Sequence, residues 1–306
     1  MCNLKKLWLT FFIDHWGSED MLPFIGNKNI YVSFNKCYSY KVINNKVIKT
    51  IEESLSCEEH EEADSRIIFH ICQIDFDAEV VIRCSDSDIL IILLGNMDHL
   101  KKSLKIWINM GVGNHQRYIN INELYRILGD SLCKALPCFH AITGCDYTPA
   151  FFRKGKVKPF KILENSEEYQ LAFDNIISDD KEVLETTFVI LEKFICQILP
   201  PCKVELEQHL LRVRYVTKIW RNAHLKHPTS LSPMAFGWTI NGDKYDFVWF
   251  LGDQLPSSVA DIIVQNDRVL EDNESSQEDD MNDTDKDSDD DDDDYEDASF
   301  CDVTIG

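Results

Sequence analysis

The chain has 306 residues, 44% of them hydrophobic, and a formal net charge of −22. Residues 266–306 hold 19 acidic and 2 basic residues, so the body before them is nearly balanced, with 34 acidic and 29 basic residues. This composition excludes a wholly disordered chain, a collagen-like chain, a small disulfide scaffold and a bundle of membrane spans, and it leaves nucleic-acid binding by the body open.

The first 150 residues are predicted to alternate between strands and helices. An amphipathic N-terminal helix comes first, then an extended segment and an extended pair that turns at Asn44 and Asn45. A helix capped by Ser56 follows, with Glu58 and Glu59 in its first turn, and a buried strand comes after it. These elements span residues 4–12, 30–34, 38–43, 46–50, 56–74 and 79–84.

An apolar run, a strand and a helix come next, and Pro137 is expected to interrupt that helix. The second half is predicted to be helical, with a small hairpin that turns at Asn241 and Gly242. In chain order, these segments span residues 89–94, 104–110, 122–136, 166–178, 181–198, 203–226 and 237–249. The pattern therefore predicts an α/β half followed by a helical extension.

The acidic tail contains six consecutive aspartates at positions 289–294. Like charges at this density repel one another, so the tail is expected to be disordered. Two roles stay open for it. It is either a solubilising segment, or a nucleic-acid mimic that covers basic surface and binds basic protein partners.

Several familiar motifs are missing from the sequence. The eleven cysteines show no C-x-x-C spacing and lie mostly among apolar residues, so we expect reduced, buried thiols in an intracellular protein. There is no phosphate-binding P-loop and no complete G-x-G-x-x-G motif, so no nucleotide cofactor is expected. The chemistry is therefore sought among the carboxylates.

Asp86 and Asp88 directly follow the buried strand predicted at 79–84. Ligands of open α/β sheets bind at the carboxyl ends of strands, and alternating aspartates in a turn can aim two carboxylates at one point. That arrangement suits Mg²⁺ or Mn²⁺. An Asp-Ser-Asp turn is also a common helix cap, and both interpretations stay open.

Two further acidic positions flank this pair along the chain. Glu61, Glu62 and Asp64 lie on the predicted helix before it, and Asp146 follows later in a Gly-Cys-Asp-Tyr motif. Taken alone, the first group is typical of a solvated helix face, and Asp146 is typical of a turn. Their order and spacing together favour a shared metal site, in which two ions could assist phosphodiester hydrolysis.

The ordered series resembles the flap-endonuclease branch of the PIN-like nucleases. The shared features are a helix with Glu-x-Ala, a strand followed by Asp-x-Asp, and Gly-Cys-Asp-Tyr, over about residues 55–165. The resemblance implies four catalytic metal ligands, at Glu62, Asp86, Asp88 and Asp146. One glutamate of the family motif falls on His60, with Glu61 as its substitute, and Asp64 lies near the motif without an assigned role.

The resemblance also implies a fold. It is an α/β, PIN-like, mostly parallel sheet flanked by helices, with a helical C-terminal extension and a disordered acidic tail. The family's first strand and its early aspartate have no counterpart before Glu52, so we expect an N-terminally incomplete domain, either truncated or degenerate. The strings at 56–64 and 136–159 are similar to those of a group of uncharacterised animal proteins, over about residues 1–264.

A basic segment follows the Gly-Cys-Asp-Tyr motif. In flap nucleases the corresponding segment is a helix-turn-helix that meets the DNA backbone, so the resemblance implies phosphate contacts here. A solvated basic loop is the alternative. The basic residues are Arg153, Lys154, Lys156 and Lys158. A second basic stripe, expected on the outer face of the helix at 203–226, consists of Arg212, Arg214, Lys218 and Arg221.

We therefore expect a PIN-like nuclease-type domain at 1–165, a helical extension with a hairpin at 166–264, and a disordered tail at 265–306. The expected activity is Mg²⁺- or Mn²⁺-dependent endonucleolytic hydrolysis of structured DNA or RNA, and the chain is either active or an inactive copy. The alternative is a non-catalytic nucleic-acid or protein interaction module that keeps the nuclease fold. We expect no membrane association, and favour the nucleus over the cytoplasm.

Overall fold

The computed structural model describes residues 3–60, 62–84, 86–111, 116–151, 155–198, 203–242, 244–249 and 302–305, which form a mixed α/β protein. The helices are α1 Asn3–His15, α2 Leu22–Ile25, α3 Ala63–Cys72, α4 Ser87–Gly95, α5 Ile121–Leu128, α6 Asp130–Thr143, α7 Val157–Glu164, α8 Glu167–Asn175, α9 Lys181–Cys196 and α10 Lys203–Arg221. The strands are β1 Ile30–Ser33, β2 Cys37–Ile43, β3 Lys46–Ile51, β4 Glu79–Arg83, β5 Lys105–Met110, β6 Arg117–Asn120, β7 Trp238–Asn241, β8 Lys244–Phe247 and β9 Asp302–Ile305.

A four-stranded sheet in the order β6-β5-β4-β9 supports the first half of the chain. Strands β4 and β5 are parallel, because α4 carries the chain back across the sheet between them. Strand β6 follows β5 after a short connection and is antiparallel to it, and β9 is antiparallel to β4. The sheet is therefore mixed, and the expectation of a mostly parallel sheet is wrong for the described strands.

Strand β9 lies within the tail that was expected to be disordered. Val303 pairs with Ile82 of β4, and Ile305 pairs with Val80. The sequence Asp-Val-Thr-Ile alternates apolar and polar residues and is rich in β-branched side chains, which favours an edge strand. The prediction of disorder is wrong for these four residues, and the rest of the tail lies outside the described residues.

Helix α6 lies at the centre of the core and packs against α4, α8 and α10. Pro137 lies inside α6, so the predicted interruption is wrong. A Cβ atom on Gly95 of α4 would come within 2.5 Å of the Pro137 ring, so the missing side chain makes room for the proline. Packing at this crossing offsets the cost of proline in a helix, about 3 kcal/mol.

A second, three-stranded sheet forms from β1, β2 and β3. The predicted extended pair is confirmed, and its turn places Asn44 and Asn45 at φ angles of 50° and 57°. Asparagine tolerates this left-handed region better than most residues. The Tyr40 hydroxyl of β2 donates to the Ile13 carbonyl of α1 at 2.6 Å, which fixes the predicted N-terminal helix to this sheet.

The helix predicted at 56–74 begins later, at Ala63. Ser56 does not cap it, because the Ser56 hydroxyl donates to the Glu52 carbonyl and accepts from the Cys37 amide. His60 is fully buried in the loop before α3. The cap-like sequence therefore closes a loop over β2 instead of starting a helix.

The predicted hairpin is confirmed as β7 and β8, with Gly242 at φ 63° in its turn. Helices α8, α9 and α10 lie within the predicted ranges. The eight cysteines of the described part of the chain are free thiols, and most are buried. None of the described helices has the length and apolar character needed to cross a membrane.

Candidate metal centre

Three aspartates from two neighbouring elements meet at the carboxyl end of β4. Asp86 and Asp88 stand at the start of α4, and Asp64 lies in the first turn of α3. One carboxylate oxygen from each residue lies within 4.8 Å of the other two. The structure thus brings the predicted aspartate pair together and adds Asp64, to which the sequence analysis assigns no role. We call these three residues the aspartate cluster.

Asp86 also serves as the N-cap of α4. Its Oδ1 atom accepts from the Asp88 amide at 2.9 Å, and its own amide donates to the Cys84 sulfur at 3.1 Å. The helix-cap interpretation is therefore confirmed, and it does not exclude the metal interpretation. A carboxylate has about four acceptor sites, and the cap hydrogen bond uses one of them.

The aspartate cluster concentrates negative charge in a partly buried place. Burial, followed by the charges of Asp86 and Glu62, raises the pKa of Asp64 to about 7. Burial also raises the pKa of Asp86, and the charges of Asp88 and Asp146 add to the effect. A divalent cation would relieve this repulsion, since an opposite charge favours the ionised form of a carboxylate.

The chemistry of the aspartate cluster fits a hard divalent cation. Carboxylate oxygens are the ligands that Mg²⁺ takes from proteins, and Mn²⁺ accepts the same set. Two oxygens at about 2.1 Å from one Mg²⁺ lie roughly 3–4 Å apart. Oxygens within 4.8 Å of one another need only a small adjustment to reach that spacing. The three residues could therefore hold one ion.

Glu62 borders the aspartate cluster but has other partners. Its Oε2 atom accepts from the Trp220 indole at 3.1 Å. Burial raises the pKa of Glu62, whereas hydrogen bonds from Tyr147 and Trp220 lower it. Among the described residues, Glu62 is not in the group of oxygens that lie within 4.8 Å of one another. Its predicted role as a ligand stays a prediction.

Asp146 lies in an exposed turn that the backbone bonds between Cys145 and Thr148 close. Gly144 begins this turn at φ 110°, and a Cβ atom there would come within 2.6 Å of Ala150. Burial is the main cause of the raised pKa values of Glu62, Asp64 and Asp86, and the charge of Asp146 adds a smaller contribution to each. Asp146 therefore lies within electrostatic range of the aspartate cluster, although it is not part of it.

A histidine that the sequence analysis does not single out contacts Asp88. His140, in the last turn of α6, has its Nε2 atom 2.8 Å from Asp88 Oδ1. Lys156 Nζ lies 3.0 Å from His140 Nδ1 and donates to the Gly144 carbonyl at 2.7 Å. The one sequence signal for His140 is its place a helical turn before the Gly-Cys-Asp-Tyr motif.

The family position that falls on His60 does not face the aspartate cluster. The His60 Nε2 atom donates to the Leu225 carbonyl at 2.7 Å, and Nδ1 lies 3.0 Å from the Ser65 hydroxyl. Burial lowers the pKa of His60, which favours the neutral ring. His60 therefore joins the loop before α3 to the chain after α10. Glu61, the expected substitute, lies outside the described residues.

The predicted phosphate-binding residues divide into three cases. Lys158 is exposed in the first turn of α7, where a loop was the alternative prediction. Lys156 is half-buried and faces His140, and burial lowers its pKa. Arg153 and Lys154 lie outside the described residues. Contact between this segment and phosphates stays a prediction.

The basic stripe on α10 does not face outward as expected. Arg212 is 1% exposed, and its Nη1 atom donates to the carbonyls of Gly237 and Val248. Arg214 is also buried and donates to the Ile176 carbonyl at 3.1 Å. Buried carbonyls that lack a partner are costly, so the arginines satisfy the ends of neighbouring elements. The expectation is wrong for these two residues.

Comparisons with known proteins do not assign the chain to a class. No family model matches it, and neither the curated proteins nor the solved structures contain a match.

Proposed function

We propose that this chain is a divalent-metal-dependent, nuclease-like protein that hydrolyses phosphodiester bonds in structured DNA or RNA. The observation that carries the proposal is the convergence of Asp64, Asp86 and Asp88 on one point, with oxygens within 4.8 Å of one another. The order of the acidic motifs along the chain, which resembles that of flap endonucleases, supports the nuclease interpretation. Mg²⁺ or Mn²⁺ is the proposed cofactor.

The proposal gives each part of the site a task. Asp64, Asp86 and Asp88 hold the ion, and Glu62 and Asp146 add negative charge beside them. A bound Mg²⁺ or Mn²⁺ supplies Lewis-acid activation of water and neutralises charge on the phosphate. The cap hydrogen bond of Asp86 fixes its carboxylate before any ion arrives, which lowers the ordering cost of binding.

The charge on the site is compatible with a phosphodiester substrate when a cation is bound. A cluster of carboxylates repels a phosphate backbone unless a cation lies between them, so substrate and cation bind together. Lys158, exposed in α7 after the Gly-Cys-Asp-Tyr turn, is available to contact a phosphate. Such contacts position a nucleic acid without recognising its sequence. Structured DNA and RNA are therefore both candidates.

The test is Mn²⁺-dependent cleavage of a labelled branched DNA and of a matching RNA. Asp86→Asn is a sharp variant, because asparagine keeps the helix cap and removes only the charge. Asp64→Asn and Asp146→Asn test the other carboxylates, and Asp75→Asn is the matched control, since Asp75 is exposed and precedes β4. We expect the aspartate-cluster variants to lose at least ~100-fold of the activity and the control to keep it.

A folded wild type that cleaves neither substrate contradicts the proposal. Circular dichroism establishes folding in the same samples. In that case, binding of the uncleaved DNA or RNA in a gel-shift assay would support the alternative, a non-catalytic interaction module. Equal cleavage by wild type and Asp86→Asn would show that the activity arises elsewhere, in a contaminant or in another part of the chain.

A further inference from the structure

A chain of three polar side chains leads from the aspartate cluster into the body of the protein. Asp88 Oδ1 lies 2.8 Å from His140 Nε2, and His140 Nδ1 lies 3.0 Å from Lys156 Nζ. Lys156 is anchored in turn by its 2.7 Å hydrogen bond to the Gly144 carbonyl. The three residues belong to α4, α6 and the start of α7, so three elements hold one carboxylate.

The partners of His140 determine where its proton lies. A lysine ammonium can only donate, so the Nδ1 atom of His140 must accept from Lys156. The ring proton then lies on Nε2, from which it is donated to Asp88 Oδ1. The network therefore selects one tautomer of His140, because Asp88 can only accept at Nε2 and Lys156 can only donate at Nδ1.

Packing leaves this network little freedom. The side chains of His140 and Asp88 are only 11% and 13% exposed. The His140 ring lies 5.8 Å from the Trp220 ring, and the indole of Trp220 donates to Glu62. The His140 ring therefore holds the Asp88 carboxylate, and the neighbouring Trp220 ring holds that of Glu62. Rotation of the Asp88 carboxylate would break its hydrogen bond to a ring that Trp220 and Lys156 hold from other sides.

We propose that His140 is a positioning residue that, held at Nδ1 by Lys156, aims the free oxygen of Asp88 at the divalent cation. The inference rests on the proposed function, because it concerns the same metal site. His140 does not touch the ion or the substrate. Its effect is to occupy Oδ1 of Asp88 with a hydrogen bond, which leaves Oδ2 for the ion. Partners that orient a metal ligand in this way contribute about 10–100-fold to metal affinity.

The test is direct Mn²⁺ titration, followed by electron paramagnetic resonance of the free ion, and needs no substrate. His140→Leu removes both ring nitrogens, and we expect the Kd for Mn²⁺ to rise about 10–100-fold. His140→Gln is the matched control, because its amide can place an N–H near the position of Nε2 and donate to Asp88. We expect the glutamine variant to keep an affinity close to wild type.

A second readout follows the tautomer itself. In ¹⁵N-labelled protein, the His140 ring should show the Nε2–H tautomer, because Asp88 and Lys156 both require it. Lys156→Met removes the donor that holds Nδ1, and it should weaken Mn²⁺ binding. A histidine with a purely structural role would not make Mn²⁺ affinity depend on the donor to its Nδ1 atom. If His140→Leu fails to fold, Lys156→Met carries the test, because it leaves the histidine in place.

The Mn²⁺ titrations distinguish a failure of the proposed metal site from a failure of the positioning role of His140. A folded wild type that binds no Mn²⁺ overturns the proposed metal site and this inference with it. A wild type that binds Mn²⁺, with unchanged affinity in His140→Leu and in Lys156→Met, overturns the inference alone. An Nδ1–H tautomer at His140 in the wild type also overturns it, since Lys156 could not then donate to the ring.

Discussion

The aspartate cluster should destabilise the metal-free protein, and Asp64 is the residue with which to measure the cost. Its pKa rises from an ordinary value of 3.8 to about 7 in the folded state, through burial and through repulsion by neighbouring carboxylates. Between these two pH values the folded state binds more protons than the unfolded state. The free energy of unfolding therefore falls as the pH rises from about 4 to about 7, and the loss is complete above that range. Asp64→Asn removes the titrating group.

The separation of the two pKa values sets the size of the effect. Each pKa unit is worth roughly 1.4 kcal/mol, so about three units give an upper limit of about 4 kcal/mol at pH 8. At pH 5 roughly 1.7 kcal/mol of this cost is already present. Between pH 5 and pH 8, the wild type should therefore lose about 2.5 kcal/mol relative to Asp64→Asn.

Urea unfolding at pH 5 and at pH 8, with a chelator present, measures this difference. The control is Asp75→Asn, which removes an exposed carboxylate. This substitution should change the free energy of unfolding by the same amount at pH 5 and at pH 8. Equal stability gaps between wild type and Asp64→Asn at the two pH values would refute the reasoning, because the folded-state pKa of Asp64 would then be ordinary. A wild type whose stability relative to Asp64→Asn is higher at pH 8 than at pH 5 would refute it as well.

Two further predictions concern the fold that positions the site. Gly144→Ala should cost about 3 kcal/mol or more, because it combines a left-handed φ with a clash of about 2.6 Å, whereas Gly129→Ala, with φ 82° and open space, should cost only about 1 kcal/mol. If Gly144→Ala and Gly129→Ala lost the same stability in thermal or urea unfolding, the clash at Gly144 would be absent. Tyr40→Phe should cost about 1–2 kcal/mol, because it leaves the buried Ile13 carbonyl unpaired. Tyr31→Phe, on an exposed side chain, should change stability by less than about 0.5 kcal/mol, and an equal effect of the two substitutions would contradict the assigned hydrogen bond.

Local features of the site could be predicted from the sequence. A run of apolar residues identifies β4 as buried, and the polar turn that follows must place Asp86 and Asp88 at the end of that strand. The turn at Asn44 and Asn45 is equally local, since asparagine accepts the backbone angles that a tight hairpin needs. In both cases one short segment contains all the relevant information.

Features that depend on how distant elements meet could not be predicted. Asp88 and His140 are 52 positions apart, and their contact depends on the crossing of α4 and α6. That crossing depends in turn on the fit of Pro137 over Gly95. In the sequence alone, a proline at position 137 indicates the end of a helix. The position of Asp64 could not be predicted either, because its helix begins six residues later than a cap at Ser56 suggests. Tertiary packing decides each of these positions.

The pairing of β9 with β4 has a consequence for synthesis on the ribosome. Arg83 and Asp302 are partners in the sheet although about 220 residues separate them. At roughly 5–20 residues per second, the strand that covers β4 emerges about 10–45 s after β4 itself. Until then the nascent chain presents an apolar strand with an open backbone edge, which is a template for association with other chains. The vulnerable period of this protein is therefore its own translation, when chaperones would have to cover the edge that β9 later closes.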